Sequence, residues 1–135
     1  MKTSYSCAAL LVLLACPSDA SQPVVMFVPG PGHTMFAKTG DMTALLSRSQ
    51  IRLSSGADPQ VCVRFDRASN VAPQGLDPLP GRLNFLLGSD PDKWRTNLPV
   101  FARAVYRSLW PGIDVTLYGR DGGLEYDFTL HPITV

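Results

Sequence analysis

Three carboxylates stand where side chains could do chemistry. Asp114 lies in the run Ile113-Asp114-Val115-Thr116-Leu117-Tyr118, and Glu125 and Asp127 lie in Leu124-Glu125-Tyr126-Asp127-Phe128-Thr129-Leu130. Both runs alternate apolar with polar residues, the period of a half-buried strand. The connector Gly119-Arg120-Asp121-Gly122-Gly123 supplies the glycines that a tight turn needs, so the two runs read as a β-hairpin. Pairing places Ile113, Val115 and Leu117 on one face with Leu124, Tyr126 and Phe128, read as the core face, and turns Asp114, Thr116, Glu125 and Asp127 to the wet one. Converging acids would serve either as the carboxylate pair of a glycosidase or as oxygen ligands for calcium. Alternation alone also explains acids on a wet sheet face neutralised by Arg103 and Arg107 from a neighbouring strand, and that reading is preferred.

The other chemical groups are sparser. Asp90 and Asp92 form a second calcium candidate, although turns select aspartate for backbone reasons. His33 and His131 have no partner at ligand spacing and read as exposed loop residues; Cys62, between Val61 and Val63, reads as a small strand residue. Walker, Gly-x-Ser-x-Gly and His-Glu-x-x-His patterns are missing from the sequence, and Pro29-Gly30-Pro31-Gly32 lacks the amide donors of a phosphate loop. Trp94, Arg95 and Trp110 are the binding candidates, being aromatic and cationic groups of the kind that anchor interfaces, with Trp94 also suited to cap the edge of a core. No residue is assigned a catalytic role. The expectation is a non-enzymatic module with no cofactor other than calcium, and the alternative is a glycan-acting enzyme using Asp114, Glu125 and Asp127.

The elements that would position these groups are short. Val24-Val25-Met26-Phe27-Val28 closes at Pro29-Gly30, Thr34 to Lys38 follows as a strand, and Thr43 to Ser47 suits either helix or strand. Ile51-Arg52-Leu53 and Val61 to Arg67 alternate as strands. Ala68 to Pro80 carries three prolines and a glycine and reads as an irregular crossing between sheets, with Val71, Leu76 and Leu79 as anchors. Arg82 to Leu87 reads as a strand, Gly88 to Asp92 as a turn, and Val100 to Arg107 as a strand despite arginines at helical spacing. Eight or nine short strands predict an all-β fold, an antiparallel β-sandwich or partly open barrel. Its last strand would lack a neighbour on one side.

Composition and the N-terminus set the compartment. The chain has 135 residues and a formal charge of +1, which implies no nucleic-acid partner. Lys2, the apolar stretch from Cys7 to Ala15 and the small residues Ser18-Asp19-Ala20 predict a Sec-type signal peptide over 1–20, cleaved after Ala20, ahead of a single β-rich domain over 21–135. That apolar stretch is too short to span a bilayer. The alternative cut precedes Cys16, since Leu13-Leu14-Ala15-Cys16 resembles a lipobox, and only a lipidated Cys16 would anchor the product to a membrane. Extracellular, periplasmic or cell-surface residence follows, with Cys62 the single cysteine of the mature chain.

The run from Gly75 to Pro99, with Asp90-Pro91-Asp92-Lys93-Trp94-Arg95-Thr96-Asn97 at its centre, is followed by Trp110-Pro111-Gly112-Ile113-Asp114 and Leu124-Glu125-Tyr126-Asp127-Phe128. In that order and spacing they resemble the N-terminal domain of unknown function of large secreted bacterial proteins with SBBP-type β-propeller repeats, of acidobacterial type. The resemblance implies a β-rich, non-catalytic module of an exported protein, whose partners are an extracellular protein or glycan or further domains of the same protein. It brings no catalytic residues. Relatives continue past the position of Leu130 through further strands, so a truncated copy, incomplete at its C-terminus, is expected.

Overall fold

The computed structural model describes residues 25–56, 60–86 and 88–133. Its strands, in chain order, are β1 (Met26–Pro29), β2 (Met35–Thr39), β3 (Met42–Ser47), β4 (Gln50–Ser55), β5 (Val61–Arg64), β6 (Gln74–Phe85), β7 (Arg95–Trp110), β8 (Ile113–Arg120) and β9 (Gly123–Leu130). One 3-10 turn, Pro91–Lys93, precedes β7, and no α-helix occurs among the described residues. All pairings are antiparallel. The fold is therefore all-β, as expected, and the sheet curls into a half-barrel.

The long strand β7 is the spine. Phe101 pairs with Phe27 of β1 and with Pro78 of β6, so β1 and β6 lie on opposite edges of β7. Arg103, Ala104 and Val105 pair with both β6 and β8, so β8 also lies opposite β6. It follows that β1 and β8 share one edge of β7, end to end. Two wings diverge from that edge: β1 to β5 as a meander, and the hairpin β8–β9. The strand order β5-β4-β3-β2-β1-β7-β8-β9 ends on β5 and β9, the outermost strands of the wings.

The core lies where the wings face each other. Phe27, Met35, Ala37, Ala44, Leu46 and Ile51 of the meander pack with Ala104, Tyr106, Leu109, Val115 and Leu117. In β2 and β3 every second residue turns inward, the pattern of a sheet with one dry face. Tyr106 is fully buried and ties the wings together: its hydroxyl donates to the Ser47 carbonyl oxygen at the β3–β4 turn, 2.7 Å away. Burial pushes that hydroxyl well above the ordinary tyrosine pKa. Phe65 stacks edge-on to Tyr106 and to Trp110, at 5.6 Å and 5.8 Å.

The hairpin forms with the expected faces, Val115 opposite Phe128 and Leu117 opposite Tyr126, and the connector read over Gly119 to Gly123 shortens, since Gly119 pairs with Leu124 and Arg120 with Gly123. Its turn is Asp121-Gly122, both at positive φ (51° and 77°), as a two-residue connection between right-twisted strands requires. Thr43 to Ser47 resolves to strand. Two expectations are corrected. The crossing read over Ala68 to Pro80 is irregular only as far as Pro73; from Gln74 the chain is already β6, and Pro78 and Pro80 lie within it. Proline is tolerated because β6 pairs with β7 alone and so needs no donors on its outer edge. The strand read over Val100 to Arg107 extends at both ends to the full sixteen residues of β7, through Trp110.

Gly119 marks the junction where β8 ends and β1 begins. A Cβ there would collide with the Val25 side chain. Gly119→Ala is expected to lower stability by about 1 to 2 kcal/mol through overpacking. Urea unfolding would measure it, and an unchanged midpoint would mean that the wings do not meet there.

Candidate functional site

The three carboxylates share a sheet face but occupy two separate environments. Asp114 is buried at the start of β8. Its Oδ1 accepts the Ser108 backbone N–H at 2.7 Å, its Oδ2 lies 2.9 Å from His131 Nε2, and the Arg107 guanidinium is 3.9 Å away. Ser108 sits at φ 49° inside the bulge between Tyr106 and Trp110, where the β7–β8 register shifts. Asp114 thus satisfies an amide that the bulge removes from the ladder. The Ser108 N–H bond first, then the His131 bond and the charges of His131 and Arg107, hold the Asp114 carboxyl below the usual carboxylate range.

Glu125 and Asp127 belong to Tyr118. The Tyr118 hydroxyl lies 3.2 Å from Glu125 Oε2 and 3.2 Å from Asp127 Oδ1, placed to donate between the two carboxylates. Burial first, then the two negative charges, push the Tyr118 pKa up, so its proton stays on the phenol at neutral pH. Arg120 approaches Glu125 at 3.8 Å. Of the two arginines expected to neutralise this face, Arg107 reaches Asp114, whereas Arg103 turns to Asp77 of β6. Among the described residues no group of three or more His, Cys, Asp or Glu is close enough to hold a metal ion.

His131 is the exposed loop residue that the sequence suggests, and its ring nevertheless reaches Asp114. The hairpin register pairs Ile113 with Leu130, and the His131 N–H donates to the Gly112 carbonyl, which brings its ring within reach of the adjacent strand start. Only that register makes the contact visible in sequence. Asp90 caps the 3-10 turn by accepting the Asp92 N–H, the backbone role of a turn aspartate.

The binding candidates separate as well. Trp94 and Arg95 sit at the entry to β7; the Trp94 indole N–H donates to the Gly88 carbonyl, and Arg95 donates to the Pro29 carbonyl at 2.9 Å. Trp110 sits at the other end of β7, about 50 Å of extended chain away at ~3.3 Å per residue. Its indole N–H donates to the Asp66 carbonyl, and its ring packs on Phe65 and Phe128. Cys16 and the signal segment expected over 1–20 lie outside the described residues. Cys62 is a free, exposed thiol on β5.

Two apolar clefts among the described residues add to the geometry, apart from a polar one at Lys38, Asp41 and Thr43. One, of about 390 Å³, opens between the wings and is lined by Ile51, Leu53, Val63 and Phe65 on one side and by Leu124, Tyr126 and Phe128 on the other. Tyr126, Phe128 and Leu130 of β9 are 62%, 54% and 71% exposed, although two of them were read as core. They point to the inner side as expected, but no strand packs over them. The second, of about 430 Å³, lies on the outer side of the β2–β3 hairpin beneath the β6–β7 connection, with Phe36, Lys38, Phe85, Lys93 and Arg95 in its wall. Sequence reasoning singles out Arg95 alone from this set, because Phe36 and Lys38 come from a strand distant in the chain and nothing local marks Phe85 or Lys93 as their neighbours.

A curled all-β sheet with an open inner cleft is what this sequence builds, and its family carries no assigned activity. The chain belongs to the family described as Domain of unknown function (DUF7948), whose model matches residues 20–134. No curated protein and no solved structure matches it.

Proposed function

We propose that the chain is a non-catalytic module of an exported or cell-surface protein of the SBBP β-propeller kind, and that its role is structural or adhesive: it holds an extended polypeptide strand in the cleft between its wings. The observation that carries this reading is the apolar cleft itself, bordered by the outermost strands β5 and β9. An outermost strand presents unpaired backbone donors and acceptors to an incoming chain. A strand laid along β9 would place alternate apolar side chains beside Tyr126 and Phe128. Its other side chains would meet the face of Glu125 and Asp127, so lysine or arginine is favoured there.

A neutral solvatochromic dye tests the cleft. The purified protein is expected to bind it, and Tyr126→Lys with Phe128→Lys to abolish binding while leaving the melting temperature nearly unchanged, since both side chains are exposed. A protein that ignores the dye would overturn the reading. So would hydrolysis of a polysaccharide panel that vanishes in Glu125→Gln, which favours the glycan-acting enzyme. Export has its own readout: N-terminal sequencing of the secreted product should begin at Ser21, whereas a lipidated Cys16 at the N-terminus would make it a membrane-anchored lipoprotein.

A further inference from the structure

The second cleft is distinct from the first in position and in charge. Phe36 and Lys38 project from β2 on the side opposite the buried Met35 and Ala37, and Phe85, Lys93 and Arg95 come over them from the end of β6 and the start of β7. Among the described residues no acidic side chain lines it. Lys38, Lys93 and Arg95 have no carboxylate of the described residues within 4.0 Å, as is also true of Arg48, Arg52, Arg64 and Arg82, and they differ from those four in lining one cleft together. The nearby Asp90 is turned onto the backbone N–H of Asp92. Three cations thus converge on an apolar floor made by two phenyl rings and Pro31.

We propose that this cleft binds a small anionic amphiphile, a carboxylate on a compact apolar body. The ring or short acyl body would lie on Phe36 and Phe85, and the carboxylate would be met by Lys93, Lys38 and the Arg95 donors that its bond to Pro29 leaves open. The complementarity is specific: an apolar floor selects against small hydrated anions, and unpaired cations select against neutral bodies. A cleft of about 430 Å³ is within the range that takes such a ligand. An acidic peptide fits less well, because the apolar wall would leave its backbone amides without partners.

Octanoate, 1-octanol and acetate, titrated into the purified protein by calorimetry at low salt, separate the contributions. Octanoate should bind at least tenfold more tightly than octanol, and acetate should give no saturable heat. Lys38→Gln with Lys93→Gln, both at exposed side chains, should weaken octanoate at least tenfold and leave octanol unchanged. Phe85→Ser should weaken both. Equal affinity for octanoate and octanol would overturn the proposal, as would undiminished octanoate binding in the double lysine variant. Saturable binding of polygalacturonate without octanoate binding would assign the cations to an acidic glycan instead.

Discussion

Tyr106→Ala is expected to lower stability by about 4 kcal/mol, the range for removing a fully buried aromatic side chain, and to lower the melting temperature by roughly 15 °C. The size of the effect follows from position. Tyr106 comes from the spine strand, reaches across the core to the β3–β4 turn and supports Phe65, so its loss removes packing from both wings at once. Tyr106→Phe separates the hydroxyl from the ring: it keeps the packing but leaves the Ser47 carbonyl without that donor, at a cost of about 1 to 2 kcal/mol. Thermal unfolding of the three proteins provides the comparison. Equal losses in both variants would mean that the hydroxyl, not the ring, holds the wings together.

Asp114→Ala is expected to cost about 2 to 3 kcal/mol, because the Ser108 amide and the His131 ring both lose a charged acceptor. The effect carries a pH signature. The folded-state pKa of Asp114 is depressed, so its stabilisation is complete above the unfolded carboxylate value of about 3.9 and is lost as the pH falls through the folded value. The acid limb of the wild-type stability curve should therefore be steeper than that of Asp114→Asn, which keeps an acceptor for Ser108 but not the charge. Parallel acid limbs would show that Asp114 is not held ionised by these neighbours.

The hairpin β8–β9 and its two faces are legible in sequence, because alternation fixes which side chains share a face; the exact register and the two-residue turn are not, because a slip of two residues keeps the same faces and Gly119, Arg120 and Gly123 prove to be paired. The strand count and the all-β class followed from turn spacing. What sequence could not show was the sharing of one β7 edge by β1 and β8, since that depends on pairings between distant segments. The same limitation hid the cation cleft, where Lys38 meets Lys93 and Arg95 only after the β6–β7 connection folds over β2. Proline misled locally over Pro78 and Pro80, because an outermost strand pairing with β7 alone was not foreseeable from composition. Tyr126 and Phe128 were placed on the correct face, and their exposure reflects what stands opposite them, which alternation does not encode.

Amide hydrogen exchange along β9 tests most directly whether the open half-barrel accepts a strand. In the purified protein, every second amide from Gly123 to Leu130 should exchange rapidly, because those N–H groups point away from β8. A synthetic peptide alternating valine with lysine should protect that same set and leave β6 unchanged. Uniform protection of β9 without peptide, or an unaltered pattern at saturating peptide, would contradict a docking edge at β9.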